Sequence, residues 1–284
     1  MPELPEVETI RRGLERCLVG LTLKGVDVLL RKQFRGEVGD VLGARVVAVR
    51  RRGKITAVDL SNGKSLLVHL KLTGQLVFQR GKDKFLGGHP IPFAGTTLPA
   101  KTTHVIFHFG DGSTLFYNDI RQFGWIKVAE TAKLESESEF SKLGPEPLTR
   151  EFTADYLKGV LAKTAKPVKL VLMDQEKVSG VGNIYANDAL FEAKIDPRRP
   201  AKSLSRKETS ELFDAIGVVL REGIKYGGSS ENAFVNVEGE MGSYQDHTRV
   251  YGKGGEDCPG SCGGQIRRIE LGGRGTFFCP KCQK

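Results

Sequence analysis

The order of apolar and polar residues divides the chain into a β-rich first half and a helical second half. An apolar stripe at helical spacing, made of Val7, Ile10, Leu14 and Leu18, predicts an opening helix that ends by Gly20. Short alternating or β-branched runs follow, separated by turn residues, and they predict antiparallel strands. The runs cover 21–30, 45–51, 55–60, 65–70, 104–109 and 114–117. This pattern predicts a β-sandwich or a flattened barrel over residues 1–130.

The second half has helical periodicity. The polar, acidic segment 131–150 is predicted to be a linker, and segment 80–100, which is rich in glycine and proline, a long surface loop. Helices are predicted at 152–162, 167–173, 183–193 and 205–226. The last of them opens with the capping box formed by Ser205 and Glu208.

Composition and charge narrow the class of protein. The 284 residues are 39% hydrophobic and 27% charged, as expected for a globular protein of two domains. We find no apolar run of membrane-spanning length, and Glu3, Glu6 and Glu8 interrupt any signal-peptide core, so we expect a cytoplasmic, nucleoid-associated protein without a membrane partner. The net charge of +9 suits a polyanionic partner, although charge alone is a weak indication.

The cysteines point to a metal. Four of the five stand near the C-terminus as Cys258-x3-Cys262-x16-Cys279-x2-Cys282, and two close pairs of thiolates suit a structural zinc ion; four free thiols are the alternative. The span between the pairs predicts a β-hairpin, 266–271 and 276–278, with Arg274 at its tip, either a probe for DNA or a solvated side chain. The fifth cysteine lies on the apolar stripe of the first helix and is predicted to be a core residue.

The N-terminus carries candidate chemistry. Pro2 is small enough to permit removal of Met1, which leaves a secondary amine. Because an α-amino group titrates near about 7.7–8.0, it can attack a carbonyl carbon at neutral pH. Glu3 lies beside that amine and Glu6 about one helical turn further on, so a carboxyl group is available for proton transfer. The alternative is a proline-rich helix start that merely favours acidic residues.

Three further patterns suit nucleic acid, and each has a plainer interpretation. Asn183 follows Gly180-Val181-Gly182 at a helix start, where free N–H groups bind anions, but an Asn cap explains it too. Lys54 ends a basic run that begins at Arg50; it could contact a phosphate or assist the amine, and the alternative is a solvated run of charges. Arg121 and Phe123 are two residues apart, which suits insertion into a base stack, whereas Phe123 alone suggests a core residue.

Taken together, these motifs resemble the formamidopyrimidine-DNA glycosylase family over the whole chain. The stretches that carry the resemblance are 2–9, 69–74, 119–124, 143–148, 180–187 and the terminal cysteines, together with Lys54 after its basic run. Leu4, where glycine would indicate the endonuclease VIII-like relatives, favours the formamidopyrimidine branch.

The resemblance implies an α+β protein. It implies an N-terminal helix with an antiparallel β-sandwich domain at 1–130, a linker at 131–150, a helical domain with a helix–two-turn–helix motif at 151–245, and a zinc-finger β-hairpin at 246–284. It further implies one structural Zn2+, a monomer, and duplex DNA containing oxidised bases or abasic sites as partner.

The activity implied is removal of oxidised purines, followed by strand cleavage through β,δ-elimination. Pro2 would be the nucleophile at the sugar C1′ and Glu3 the general acid and base. Lys54 and Arg274 would be the proton donors of β- and δ-elimination. Asn183 would bind phosphate, and Arg121 and Phe123 would fill the gap that the flipped nucleotide leaves, since the target base must leave the stack.

The chain departs from the family pattern at three places. The third gap-filling residue is usually methionine, whereas here the motif has Leu72. The first cysteine pair is separated by three residues rather than two. Thr102 stands where some members have a DNA-contacting histidine, which leaves His104 as the substitute candidate. The basic residues Lys163, Lys166 and Lys169 match a phosphate-binding region without fixing the register, and Lys166 is our candidate.

Two alternatives stay open at this point. One is a relative that prefers oxidised pyrimidines, which Leu4, Arg121 and Phe123 argue against. The other is a non-catalytic DNA-damage binding protein on the same scaffold. The presence of Pro2, Glu3, Lys54 and Arg274 argues against it.

Overall fold

A computed structural model describes residues 1–88, 97–229 and 242–284. The chain forms two compact units: residues 1–141 with 224–245, and residues 142–223 with 246–284. In the β-rich unit, the backbone N–H of Ser229 donates to Glu6 Oε1 at 2.8 Å. The functional domain boundaries stay a prediction.

The opening helix is confirmed. Helix α1 spans Leu4–Leu18, and Val19 and Gly20 lie beyond its end. Its apolar stripe is buried, with Ile10 and Leu14 fully inaccessible to solvent. Burial of this stripe, rather than intrinsic helix propensity, supplies most of the stability of such an amphipathic helix.

The first unit contains two five-stranded sheets. The strands are β1 Leu23–Val28, β2 Phe34–Arg35, β3 Val46–Arg52, β4 Ile55–Leu60, β5 Lys64–His69, β6 Gly74–Arg80, β7 Asp83–Gly88, β8 Thr103–Phe109, β9 Thr114–Asp119 and β10 Trp125–Glu130. One sheet has the order β1-β8-β9-β6-β7 and the other β2-β10-β5-β4-β3. Apart from the parallel pair β2 and β10, the paired strands are antiparallel. Side chains from both sheets and from α1 share one apolar core, as expected for a sandwich.

The prediction of a long loop at 80–100 is wrong for its first part. Strand β7 occupies Asp83–Gly88 and pairs with β6 along its whole length. Asp83 lies opposite Arg80 at one end, and Gly88 lies opposite Gln75 at the other. Its glycines and charges are typical of a loop, but ladder hydrogen bonds to β6 hold it as an edge strand. Residues 89–96 of the predicted loop lie outside the described residues.

The helical second half is confirmed. A short helix, α2 Ser138–Ser141, lies in the predicted linker. The longer helices are α3 Ala154–Ala162, α4 Val168–Leu172, α5 Asn183–Glu192 and α6 Arg206–Lys225. The predicted capping box of α6 is present, because the Ser205 N–H donates to Glu208 Oε2 at 2.7 Å and the Glu208 N–H to Ser205 Oγ at 3.2 Å. None of the helices in the described ranges has both the length and the apolar character needed to cross a membrane.

The C-terminal hairpin is also confirmed. Strands β11 Arg267–Leu271 and β12 Arg274–Phe278 pair antiparallel, with Leu271 opposite Arg274. The intervening residues Gly272 and Gly273 have φ of 58° and 71°, the left-handed values that a two-residue hairpin turn of this type requires. This turn sets Arg274 at the first position of the returning strand.

Candidate active site and nucleic-acid interface

Pro2 and Glu3 stand at the N-terminal end of α1. Pro2 is half-buried, and Glu3 is the N-cap residue with 3% of its surface exposed. The Glu3 N–H donates to Glu6 Oε2 at 2.8 Å, one helical turn on. Glu6 is equally buried, and because its other oxygen accepts from Ser229, it fixes the start of the helix. The catalytic roles of Pro2 and Glu3 stay a prediction.

Lys54 lies in the turn between β3 and β4 and is 7% exposed. Just before this turn, Arg51 Nε lies 3.2 Å from Glu8 Oε2 of α1. Burial disfavours ionisation of Glu8, but hydrogen bonds from neighbouring arginines outweigh it and hold the pKa of Glu8 below its ordinary value. This ionised pair joins the first helix to the strand that leads to Lys54.

His69, at the end of β5, is a neutral neighbour of this region. Burial, together with the positive charges of Lys71 and Lys54, lowers the pKa of His69 to about 3. Its Nδ1 accepts the Lys71 N–H at 3.1 Å, so the proton of the neutral ring is on Nε2. The ring also meets Trp125 edge-on, with centroids 5.7 Å apart. His69 thereby anchors the turn that follows it.

Leu72 lies in that turn. Lys71 before it has a left-handed φ of 52°, and Gly74 after it approaches the turn so closely that a Cβ there would lie 2.4 Å from the Leu70 carbonyl oxygen. Leu72 is half-buried, which leaves part of its side chain available to a partner. Its role as the third gap-filling residue stays a prediction.

We expect Leu72→Ala to slow excision of a damaged base from duplex DNA. Side chains inserted into the gap offset the stacking that the flipped nucleotide loses, and alanine cannot reach into the gap. Covalent trapping at a preformed abasic site in single-stranded DNA, where there is no gap, should change little. Rates on both substrates, measured beside the melting temperature, check this. A core role would instead lower both rates together, with a loss of about 2–5 kcal/mol in stability.

Arg121 and Phe123 lie on an exposed turn after β9. Phe123 is 56% exposed, so the plainer interpretation as a core residue is wrong. Gln122 has a left-handed φ of 56°, so the segment is a turn rather than the extended strand that the spacing suggested. The two side chains still share one side, because the Arg121 guanidinium lies 4.9 Å over the Phe123 ring.

Three side chains of the second unit hold strand β12. Lys169 is fully buried and its Nζ donates to the Gly275 carbonyl oxygen at 3.0 Å and to Thr276 Oγ1 at 2.7 Å. Asn183 Nδ2 donates to the same carbonyl oxygen at 3.1 Å. The third is Asn187 of α5, whose Oδ1 accepts the Phe277 N–H at 2.9 Å. Arg274, next to these anchors, is exposed.

Sequence reasoning missed the anchoring role of Lys169. The basic stretch contains Lys163, Lys166 and Lys169, but of these three only Lys163 and Lys166 are exposed. A signal was present, because Lys169 and Leu172 are three apart on the buried side of α4. A lysine on that side requires acceptors inside the fold, which β12 supplies.

Two other predicted DNA contacts have different surroundings. Lys166 is exposed at the start of the segment leading into α4. His104 is 6% exposed and shares a 2.8 Å hydrogen bond between its Nε2 and the Asp119 carbonyl oxygen. The described contact of His104 is therefore within the sheet, and a contact with DNA stays a prediction, as it does for Lys166.

The four C-terminal cysteines form one cluster. Their sulfur atoms all lie within 4.8 Å of one another. Cys258 Sγ is 3.5 Å from Cys282 Sγ, and Cys262 Sγ is 3.6 Å from Cys279 Sγ, close to the separation of about 3.8 Å expected for four thiolates around zinc. Glycines make room for the sulfurs, since a Cβ on Gly264 would lie 2.9 Å from Cys279 Sγ.

The cluster is also held from outside. The Cys279 N–H donates to Gln283 Oε1 at 2.8 Å, and Gln283 Nε2 donates to the Ile195 carbonyl oxygen at 2.8 Å. Such supporting hydrogen bonds orient metal-binding side chains. The cysteines thus fit a structural zinc with four protein ligands, and the wider spacing of the first pair removes no ligand.

Comparison with protein families gives three matches along the chain. Residues 1–126 match the formamidopyrimidine-DNA glycosylase N-terminal domain, and residues 143–235 match the formamidopyrimidine-DNA glycosylase H2TH domain. Residues 255–284 match the zinc finger found in FPG and IleRS, which agrees with the cysteine cluster and confirms the predicted zinc site.

Similar proteins cover the chain from end to end. A formamidopyrimidine-DNA glycosylase of Pelotomaculum thermopropionicum is 40% identical over 100% of this chain and 99% of its own length. One from Roseobacter denitrificans is 41% identical, with full coverage of both. A solved complex of Lactococcus lactis Fpg with DNA containing an abasic site has a TM-score of 0.88 at 31% identity and covers 99% of each chain. These matches confirm the α+β fold and the resemblance, and the chain belongs to the formamidopyrimidine-DNA glycosylase family.

Proposed function

We propose that this protein removes oxidised purines, chiefly 8-oxoguanine and formamidopyrimidines, from duplex DNA and then cleaves the strand at the abasic site. The observation that carries the proposal is the pair Pro2 and Glu3, set at the start of α1 in a chain whose full-length relatives are formamidopyrimidine-DNA glycosylases. A Lactococcus lactis Fpg mutant solved with DNA containing Fapy-dG supports the class of substrate, with a TM-score of 0.88 and 32% identity.

In the glycosylase step, the Pro2 amine of the trimmed chain attacks the sugar C1′. The new N–C1′ bond replaces the glycosidic bond, whose electron pair leaves with the base, and the base anion takes a proton from water. The amine nitrogen passes its own proton to the Glu3 carboxylate. The sugar ring then opens, the O4′ oxygen takes a proton from Glu3, and an iminium ion links Pro2 to C1′. A carboxyl group next to the amine is suited to this transfer.

Strand cleavage follows from the same iminium ion. Loss of a C2′ proton expels the 3′ phosphate by β-elimination, and a second elimination expels the 5′ phosphate. In this proposal Lys54 and Arg274 donate the protons of the first and second steps. The zinc ion, held by Cys258, Cys262, Cys279 and Cys282, gives the hairpin that bears Arg274 a fixed shape and takes no part in proton transfer.

DNA is bound mainly through its backbone and the gap left by the flipped nucleotide. Asn183 and the exposed Lys166 are proposed phosphate contacts, and Leu72, Arg121 and Phe123 are proposed to fill the gap. Extruding a base costs a few kcal/mol, which inserted side chains partly offset. The protein is proposed to act as a monomer on the nucleoid in the cytoplasm.

A panel of duplexes that differ only in one lesion tests the proposal. We expect cleavage at 8-oxoguanine and formamidopyrimidine, a gap with phosphate at both ends, and a covalent adduct when borohydride reduces the iminium ion. Undamaged duplex is the control. Preference for oxidised pyrimidines would indicate an endonuclease VIII-like specificity, and tight binding without cleavage or trapping would indicate a damage-binding protein.

A further inference from the structure

We propose that Asp119 is a positioning residue that holds the two gap-filling turns, 71–73 and 121–123, in one arrangement for insertion into DNA. The inference deepens the proposed glycosylase function and rests on it. Asp119 ends β9 and is fully buried, so its carboxylate lies inside the fold rather than at the DNA surface.

One carboxylate oxygen joins the two turns. Asp119 Oδ1 accepts a short hydrogen bond from Thr73 Oγ1, next to Leu72, and the Arg121 N–H at 3.2 Å. The Arg121 N–H lies 3.0 Å from Thr73 Oγ1 as well, so the three groups form a closed triangle. Any shift of one turn relative to the other must break a side of this triangle.

The other oxygen fixes the far end of the second turn. Asp119 Oδ2 accepts the Gly124 N–H at 2.8 Å and Gln33 Nε2 at 2.9 Å. The backbone at Gly124 has no room to move inward, because a Cβ there would lie 2.0 Å from the Tyr117 hydroxyl oxygen. Phe123 therefore projects from a turn that is tied down on both sides.

The surroundings make this carboxylate sensitive to change. Its four donors, two backbone N–H groups and the side chains of Thr73 and Gln33, are all uncharged. Replacing Oδ2 by a group that cannot accept removes the acceptor of the buried Gly124 N–H, and replacing Oδ1 removes the link between Asp119 and Thr73. The bond between the Asp119 carbonyl oxygen and His104 Nε2 further fixes the backbone of this residue.

This arrangement explains how separate parts of the chain act on one gap. Leu72 on one turn and Arg121 with Phe123 on the other must enter the duplex together, within about half an ångström of their working positions. The carboxylate of Asp119 bonds to the Thr73 hydroxyl, to Gln33 and to the backbone of the second turn. It therefore acts through the positions of the residues that are proposed to enter the duplex.

The test is Asp119→Asn, which keeps the size of the side chain. An amide has one acceptor oxygen and one donor nitrogen, so at least one turn loses its acceptor. The control is Asp59→Asn, which changes another buried aspartate of the first unit, one bonded to Ser65 and Arg50 away from these turns. Thr73→Val, which removes only the link to the first turn, keeps the test informative if Asp119→Asn fails to fold.

We expect Asp119→Asn to slow excision from duplex DNA about 10- to 100-fold, the size of effect that misplacing a positioned group produces. Borohydride trapping at a preformed abasic site in single-stranded DNA should keep its normal rate, because no gap is filled there. Thr73→Val should show the same pattern more weakly, and Asp59→Asn should not show it.

Combination with a variant in which Leu72, Arg121 and Phe123 are all alanine separates positioning from general weakening. If Asp119 acts through the two turns, Asp119→Asn should add little to the loss that this triple variant already causes on duplex DNA. The inference is overturned if the losses of excision rate multiply when the substitutions are combined. It is also overturned if the rates on single-stranded and duplex substrates fall equally while the melting temperature is lowered. If the protein without any substitution neither excises a damaged base nor forms the covalent adduct with borohydride, the proposed function is overturned instead.

Discussion

A protein whose Pro2 nitrogen is blocked should lose covalent trapping on damaged DNA. We expect an N-terminally extended chain, in which that nitrogen is an amide, to be trapped by borohydride about 1,000-fold more slowly or worse, as when an essential nucleophile is removed. An amide nitrogen has no free electron pair for attack at C1′. Trapping of the extended and the trimmed protein on one 8-oxoguanine duplex is the measurement.

The matched comparison is the same extended chain after proteolytic release of Pro2, which should recover the full rate. Pro2→Gly tests the secondary amine itself, since glycine leaves a primary amine on a freer backbone, and trapping at neutral pH should fall strongly. Normal trapping by the extended chain would place the nucleophile elsewhere, and Lys54, which is buried in the same unit, would be the next candidate.

The second large effect concerns the zinc site. We expect Cys279→Ser to lower the zinc content below one ion per chain, to disorder the hairpin that carries Arg274 and to weaken DNA binding. A structural zinc site contributes an apparent binding free energy of about 10–16 kcal/mol that is coupled to local folding. Cys279 is fully buried within the cluster, so its loss exposes the remaining ligands to water.

Metal analysis, DNA binding at fixed salt and thermal unfolding check this expectation. The control is Cys17→Ser, which changes a half-buried cysteine of α1 outside the cluster and should keep the zinc and the DNA affinity. The β-sandwich of the first unit should stay folded in both variants, because its core contains none of the zinc ligands. A metal-free Cys279→Ser protein with full activity would contradict the structural role of zinc.

The parts of the fold that the sequence predicted are those specified by local pattern. Three such patterns determine local structure over a few residues each: the apolar stripe of α1, the capping box of Ser205 and Glu208, and the paired glycines 272 and 273. The cysteine spacing is also local, and the four sulfurs meet as expected. Strand β7 escaped prediction because its stability comes from β6 rather than from its own residues.

The candidate site shows the same division. Pro2, Glu3 and Glu6 are neighbours along the chain, so their proximity could be predicted. The partners of Asp119 and Lys169 are distant in sequence, with Gln33 separated from Asp119 by 86 residues and Gly275 from Lys169 by 106. A buried ion with distant acceptors or donors leaves little trace in a single sequence, since its residue type alone suggests an exposed side chain.

The low pKa of His69 has a consequence for experiments on pH. Because the imidazole stays neutral far below neutrality, its Nδ1 keeps its acceptor role toward Lys71, and the turn bearing Leu72 has the same support in weak acid and weak base. His69 thus adds no titration to a pH–rate profile in the neutral range, although histidine ordinarily titrates there. A rate that changes between mildly acidic and mildly basic buffer therefore does not report the titration of His69.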